Sequence, residues 1–399
     1  MTCVLELRCV VCDQPCPAPA SAGTCPDCQD EFAVLDVLYD MDRVAKTLTR
    51  DNLRSRTPYH WRYAELLPIE PDDAAFAWPV GGTPAQEVPR LATWMGVKRA
   101  RVKDEGQNPT GSFKDRASSV GVLHALQQGA DHIACASTGN AASSLAGYAA
   151  RAGLPATIYV PQRAPDPKVA QLLVYGADVK KLRGTYAQAY DRCTRECNEH
   201  GWYNRNCAIN PYLIEGKKTC GLEIAEQTGQ DPPDWVAVSV GDGCTIAGIV
   251  KGLTQMQQLG FIEKVPRVLG VQAAGMDPIA QAFETGSLPE TSDGSTCADS
   301  IDVPVPRNWR KAVREVRSCN GAFVRVSDAQ ITEAMLEAGK RAGIFAEPAA
   351  AATFAGVKQA VAQGQINPEA DVLVVSTGSG LKDIATAMRV VGSPTEIDP

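Results

Sequence analysis

Ile133-Ala-Cys-Ala-Ser-Thr-Gly-Asn140 reads as a short apolar strand, a polar turn and the first residue of a helix, and the same unit recurs along the chain. Upstream lies a helical pattern over 115–128, apolar at Val120, Val122, Leu123 and Leu126. Downstream come a helix over 140–152, the strand Ala156-Thr-Ile-Tyr-Val160, a helix over 167–175, the strand Asp178-Val-Lys-Lys-Leu182 and a helix over 185–199. A second block repeats the alternation: helix 217–229, strand Trp235-Val-Ala-Val-Ser-Val240, helix 245–259 and strand Arg267-Val-Leu-Gly-Val-Gln272. After a less regular region near 290–310 come helices over 328–342 and 348–363 and the strand Val372-Leu-Val-Val-Ser376. Helices of this length between short β-branched runs predict βαβ units and parallel sheets. The expected fold class is α/β, with two open parallel sheets.

The totals fit that reading. The chain has 399 residues, enough for roughly two or three domains, and its 44% hydrophobic and 21% charged content is that of an ordinary soluble protein. No apolar run reaches the length of a membrane span, and the first residues lack the basic and apolar regions of a secretory signal, so a cytoplasmic location is expected. A net charge of −7 argues against a nucleic-acid partner. Of 14 cysteines, six fall in the first 28 residues. Cys9-Val-Val-Cys12 and Cys25-Pro-Asp-Cys28 have the spacing that brings four thiolates to one tetrahedral zinc, so residues 1–30 read as a structural zinc-ribbon-like segment. Cys3 and Cys16 are spares, while Cys135, Cys207, Cys220 and Cys319 read as small apolar core residues. The region up to residue 90 is mixed, with a helical start over Phe32–Tyr39, and a short strand is expected within Leu91–Val102.

Ligands in open α/β sheets sit beyond the C-terminal ends of strands, at helix N-termini. Four stretches meet that condition. Asp104-Glu-Gly-Gln-Asn-Pro-Thr-Gly-Ser-Phe-Lys-Asp-Arg116 delivers a single lysine, Lys114, to a loop–helix junction, where burial would turn its amine into a nucleophile. Ser137-Thr-Gly-Asn140 offers hydroxyls and free N–H groups to a carboxylate. Gly241-Asp-Gly-Cys-Thr245 opens a helix as a phosphate cup, without the lysine and hydroxyl of a nucleotide P-loop. Thr377-Gly-Ser-Gly380 places a neutral hydroxyl where a ring nitrogen could meet it. An amine, a carboxylate cup, a phosphate cup and a hydroxyl together describe pyridoxal phosphate.

Asn108-Pro-Thr-Gly-Ser-Phe-Lys-Asp-Arg116, Ser137-Thr-Gly-Asn140, Asn210-Pro…Glu215-Gly-Lys-Lys-Thr219, Val240-Gly-Asp-Gly243 and Thr377-Gly-Ser-Gly-Leu-Lys382 resemble threonine synthases, a branch of the fold-type II pyridoxal-phosphate enzymes. The resemblance runs from about Gly81 to Met388. It implies a tryptophan-synthase-β-like fold: a large cofactor-binding domain over 31–117 and 216–399, a small domain over 118–215, and a homodimer. It implies a lyase that converts an amino-acid substrate, O-phospho-L-homoserine, to L-threonine. Lys114 would carry the cofactor as a Schiff base and shuttle protons, Asn140 would hydrogen-bond the ring oxygen, and Ser137 and Thr138 would face the substrate carboxylate. Gly241, Asp242, Gly243, Cys244 and Thr245 would hold the cofactor phosphate, Thr377 would meet the pyridine nitrogen, and Phe113 would pack near the ring. Cys9, Cys12, Cys25 and Cys28 would hold zinc.

One departure bears on the substrate. Threonine synthases often carry an arginine shortly after the Asn-Pro pair to hold the substrate phosphate, and here Tyr212 and Leu213 stand instead. Arg116, Arg163, Lys168, Lys217 and Lys218 are the cations that could replace it, with Arg116 and Lys217 taken as substrate-binding. The alternatives are β-replacement or β-elimination on serine, phosphoserine or threonine on the same scaffold, as in a cysteate-synthase-like reaction, and a non-catalytic zinc-ribbon binding protein.

Overall fold

Alternation along the strands decides how the layers stack. In Trp235–Ser239, Val236 and Val238 enter one buried cluster while Trp235 and Ala237 enter another, and Asp371–Ser376 divides its residues in the same way. Side chains two apart share a sheet face, so these strands are buried on both faces and the sheet lies between two helical layers. The computed structural model describes residues 2–397 apart from Ala20, Gln29, Asp73, Ala74, Phe76, Arg163 and Pro165.

Thirteen strands are described: β1 (Val4–Cys9), β2 (Pro15–Cys16), β3 (Leu35–Tyr39), β4 (Ala85–Glu87), β5 (Arg99–Asp104), β6 (Ile133–Ala136), β7 (Ala156–Pro161), β8 (Asp178–Leu182), β9 (Tyr203–Asn204), β10 (Trp235–Ser239), β11 (Arg267–Ala273), β12 (Ala322–Val326) and β13 (Asp371–Ser376). They form three sheets. A six-stranded sheet runs in the order β12-β11-β10-β13-β5-β4, parallel except for β4. The four-stranded sheet β8-β7-β6-β9 is all parallel, and β2-β1-β3 is a small antiparallel ribbon. Helices Tyr212–Thr228, Cys244–Gln258 and Trp309–Ser318 cover one face of the large sheet, and Asp328–Ala342 and Pro348–Ala362 cover the other. The small sheet packs on Lys114–Gln127 and Asn140–Ala152 on one side and on Tyr186–His200 on the other.

Helices Asn140–Ala152 and Asp328–Ala342 begin and end where the periodicity predicts. Elsewhere the elements differ from expectation. The sequence predicts a helical start over Phe32–Tyr39, yet Leu35–Tyr39 is a strand paired antiparallel to β1. Its period is two: Leu35, Val37 and Tyr39 enter the core, while Asp36 binds Lys251, Lys311 and Arg314. Within Leu91–Val102 the chain forms a helix, Pro89–Met95, before β5 begins at Arg99. Proline at the first turn starts that helix and Gly96, at φ +78°, stops it. The helix expected from 217 starts at Tyr212, directly after Pro211. The division expected at 117/118 and 215/216 falls inside two continuous helices, Lys114–Gln127 and Tyr212–Thr228.

The ribbon is docked by charge as well as by apolar contact. Asp36 on β3 and Glu215 both bind the Lys251 ammonium, at 2.8 and 2.6 Å, and Lys218 pairs with Glu215 while lying 3.7 Å over the Tyr39 ring. Lys218, a candidate phosphate cation in the sequence, is therefore committed to the ribbon interface. In the ribbon itself the four sulfurs of Cys9, Cys12, Cys25 and Cys28 lie within 4.8 Å of one another, with Cys9–Cys28 and Cys12–Cys25 at 3.7 Å. Among the described residues no helix is long and apolar enough to cross a membrane.

Candidate active site

Four strand ends converge at the C-terminal edges of the sheets. The loop after β5 runs through Thr110 and Ser112 to Lys114, the first residue of Lys114–Gln127. It is stitched to the turn after β13 by Phe113 N–H donating to Thr377 O (2.9 Å) and Ser379 N–H donating to Gly111 O (3.0 Å). Thr377 in turn sits 3.5 Å from Ser239 Oγ at the end of β10. Asn140, after β6, reaches across to the large sheet's side, where its amide donates to both Glu347 oxygens at 2.9 and 2.8 Å. Glu347 N–H donates to Gly378 O (3.0 Å), which closes the ring of contacts. Beside it a cavity of about 360 Å³ is lined by Thr138, Gly139, Asn140, Ser300, Glu347 and Lys382, among others.

Lys114 points into this convergence. Among the described residues its Nζ has no hydrogen bond or ion pair, and its pKa is lowered to about 8. Burial is the main cause, the Lys217 ammonium is the next, and Cys207 and Glu347 pull the other way. A lysine pKa this low leaves an appreciable neutral fraction near neutrality, which an amine nucleophile requires.

Gly241–Thr245 follows β10 and opens the helix Cys244–Gln258. The hydrogen-bond ladder begins with Ala247 N–H on Gly243 O (3.2 Å), so the N–H groups of Cys244, Thr245 and Ile246 precede it. Gly243 has φ +87°, and a Cβ there would meet Ala312 Cβ at 2.9 Å and Asn308 O at 3.1 Å. A backbone cradle of this kind suits an anion, and only glycine fits it. Asp242 caps the turn from outside, accepting from Arg307 N–H at 2.7 Å, and its pKa rises to about 7 through burial and the neighbouring Cys207.

Other candidates are placed differently from the sequence reading. Arg116 is fully buried between Glu105 and Glu223, with four contacts of 2.7–2.8 Å to their carboxylates, so its charge is committed away from the cleft. Phe113 is fully buried in the core shared by the large sheet and its helices. Cys207, read as an apolar core residue, is half-buried and accepts from Lys217 Nζ at 2.6 Å. Arg163 lies outside the described residues, as does the Lys168 side chain. Three site residues escaped the sequence: Arg205, Cys207 and Glu347. Glu347 had a faint signal, since it directly precedes Pro348, the proline that starts a helix. Arg205 and Cys207 sit in an irregular stretch with no periodicity to mark them.

The family model described as pyridoxal-phosphate dependent enzyme matches residues 78–378, most of the chain. The threonine synthase of Methanosarcina acetivorans is 37% identical over 396 residues, covering 98% of this chain and 96% of its own. This chain belongs to the threonine synthase family of pyridoxal-phosphate dependent enzymes. The threonine synthase of Methanocaldococcus jannaschii is 35% identical with the same coverage, and that of Mycobacterium tuberculosis 36% identical over 84% of this chain and 92% of its own. Among solved structures, threonine deaminase isoform 2 from Solanum lycopersicum aligns with a TM-score of 0.68 at 21% identity, over 77% of this chain and 87% of that one. Maize serine racemase aligns with a TM-score of 0.66 at 24% identity, over 76% and 90%. These two establish the fold alone.

The cofactor of this family fits the residues present. An amine without a partner among the described residues, a cradle closed to any Cβ and the N-terminus of a long helix match its aldehyde and its phosphate. Gly243→Ala is accordingly expected to weaken cofactor binding about tenfold, the equivalent of 1–2 kcal/mol of backbone strain. Titration of cofactor into resolved enzyme checks this, and an unchanged Kd would remove the cradle from the account.

Proposed function

We propose that this chain converts O-phospho-L-homoserine and water to L-threonine and phosphate, with Lys114 as its proton-transferring base and Lys217 and Arg205 as the cations for the leaving phosphate. The observation that carries the assignment is a pair of buried cations, Arg205 and Lys217, that have no carboxylate partner among the described residues and share only the Cys207 sulfur. Among the described residues the Arg205 side chain, on a residue 1% exposed, donates only to Ser118 Oγ at 2.9 Å, and its buried Nε has no partner. Lys217, 2% exposed, donates among the described residues only to Cys207 Sγ. Both charges act on Lys114. Cys207 offsets at most one of these two buried charges, and a phosphate dianion next to the amine offsets the rest. These two residues do the work that the family's arginine does after Asn210-Pro211.

When bound, the cofactor supplies the electron sink that lets protons leave carbon. The chain supplies the rest. The Lys114 amine takes the proton from the substrate Cα and then from Cβ, and returns a proton as the product forms. Ser137 and Thr138, before the helix Asn140–Ala152, receive the substrate carboxylate. Asn140 is oriented by Glu347, and Thr377 by Ser239, so both polar groups face the cleft in fixed positions.

The test is phosphate release and threonine formation measured on purified protein. Release from O-phospho-L-homoserine with stoichiometric threonine is expected. Release from O-phospho-L-serine alone would replace this reading with β-elimination or β-replacement. Lys217→Met is expected to raise KM for the phosphorylated substrate tenfold or more, from the loss of a charge-assisted contact. A fall in cofactor affinity with KM unchanged would instead assign Lys217 to the cofactor.

The ribbon is proposed to hold one structural zinc. Four sulfurs with pairs at 3.7 Å match the edge of a tetrahedron with Zn–S bonds of about 2.3 Å, and lie well beyond disulfide length. Cys9→Ser is expected to abolish bound zinc and lower Tm by several degrees while kcat changes little. Unchanged zinc content in that variant would refute the four-thiolate site.

A further inference from the structure

Cys207 and Cys244 belong to connections of different sheets and meet behind Lys217. Cys207 follows β9 and is half-buried toward the cleft, and Cys244 is the first residue of Cys244–Gln258. Their sulfurs and the Asp242 carboxylate all lie within 4.8 Å of one another. Three donors could suggest a metal, but the Lys217 ammonium, 2.6 Å from Cys207 Sγ, opposes a cation there. The transformation above uses neither sulfur.

The two thiols are in unlike states. The Cys244 thiol first, and then Lys217 and Arg205, together hold Cys207 well below the usual thiol range against the opposing effect of burial. Cys244 is pushed well above that range, by burial and then by the sulfur beside it. A thiolate facing a protonated thiol is the starting pair for oxidation to a disulfide.

We infer that Cys207 and Cys244 are a peroxide-oxidisable pair whose disulfide pulls the turn Gly241–Thr245 out of its anion-binding shape. The Cys207 thiolate attacks one oxygen of hydrogen peroxide, the O–O bond breaks, and hydroxide leaves. Cys244 sulfur then attacks the resulting sulfenic acid, the S–O bond breaks, and the hydroxyl departs with the Cys244 proton as water. Two sulfurs are oxidised and one peroxide is reduced. The bond requires the sulfurs to close to about 2 Å. Cys244 cannot move alone, because Gly243 beside it is packed against Ala312 and Asn308. The consequence for the cofactor rests on reading this turn as the phosphate cup, whereas the bond itself does not.

The test treats holoenzyme with a small excess of hydrogen peroxide, maps peptides without reductant, and follows cofactor loss on dialysis against phosphate by absorbance. Expected is a Cys207–Cys244 cross-linked peptide lacking two hydrogens, reversed by dithiothreitol and absent in Cys207→Ser, with cofactor loss accelerated several-fold in step with cross-linking. Three results would overturn the inference: Cys207 oxidised to sulfinic acid with Cys244 still free, an oxygen-bridged Cys207–Lys217 peptide, or cross-links confined to the ribbon cysteines. Cross-linking with undiminished cofactor retention would overturn the consequence, and would count against the phosphate cup rather than the disulfide.

Discussion

Lys114→Ala is expected to lower kcat by about 10⁴-fold and to abolish covalent cofactor attachment, while Tm stays within a few degrees of the parent. The side chain makes no hydrogen bond or ion pair among the described residues, so its removal costs little in stability. Its cost falls on chemistry, because the same amine both attaches the cofactor and moves the protons. A companion measurement follows from the pKa near 8. Only the neutral amine reacts, so covalent capture of cofactor by resolved enzyme should quicken with rising pH and level off above about 8. An ordinary lysine would keep accelerating to about 10.4. Visible absorbance after mixing reads the rate, and a fully active alanine variant or an unlevelled profile would remove Lys114 from its role.

Arg116→Met should have the largest effect on stability, about 3–5 kcal/mol in chemical denaturation. Arg116 is the hinge of a buried four-charge network: it binds Glu105 and Glu223, and Lys103 binds Glu223 at 2.9 Å. All four side chains are at most 2% exposed. The network joins β5, Lys114–Gln127 and Tyr212–Thr228, so it fixes the loop that delivers Lys114. Without the guanidinium, two carboxylates remain in the interior with one ammonium between them. Burial raises both carboxyl pKa values, and Arg116 and Lys103 more than reverse this, leaving Glu105 and Glu223 below the usual range. Their contribution is therefore complete above pH about 4.3 and is lost only as pH falls further. A variant as stable as the parent at pH 7 would show that the network is not structural.

The large parallel sheet was legible because its strands are short apolar runs with a helix after each, and burial on both faces leaves that pattern undiluted. β3 was not, since five residues carry too little periodicity to outweigh the helical look of Phe32–Tyr39, and its pairing with β1 comes from tertiary contact. Among the site residues, Asn140 and Gly241–Thr245 announce themselves by sitting just after strands, and Lys114 by standing at the junction of the loop after β5 with a helix. Arg116 shares the most specific motif with Lys114, yet faces the opposite way on the same helix, into acids that lie 11 residues before it and 107 after. Proximity in sequence could not separate a cation for substrate from a cation for structure. Arg205 and Lys217 become a pair only when β9 and Tyr212–Thr228 are brought together.

Borohydride reduction of the holoenzyme followed by peptide mapping tests the central claim most directly. The account predicts one cofactor-derived adduct per chain, on the peptide that contains Lys114. An adduct on Lys217 or Lys382, or none on any lysine, would contradict it.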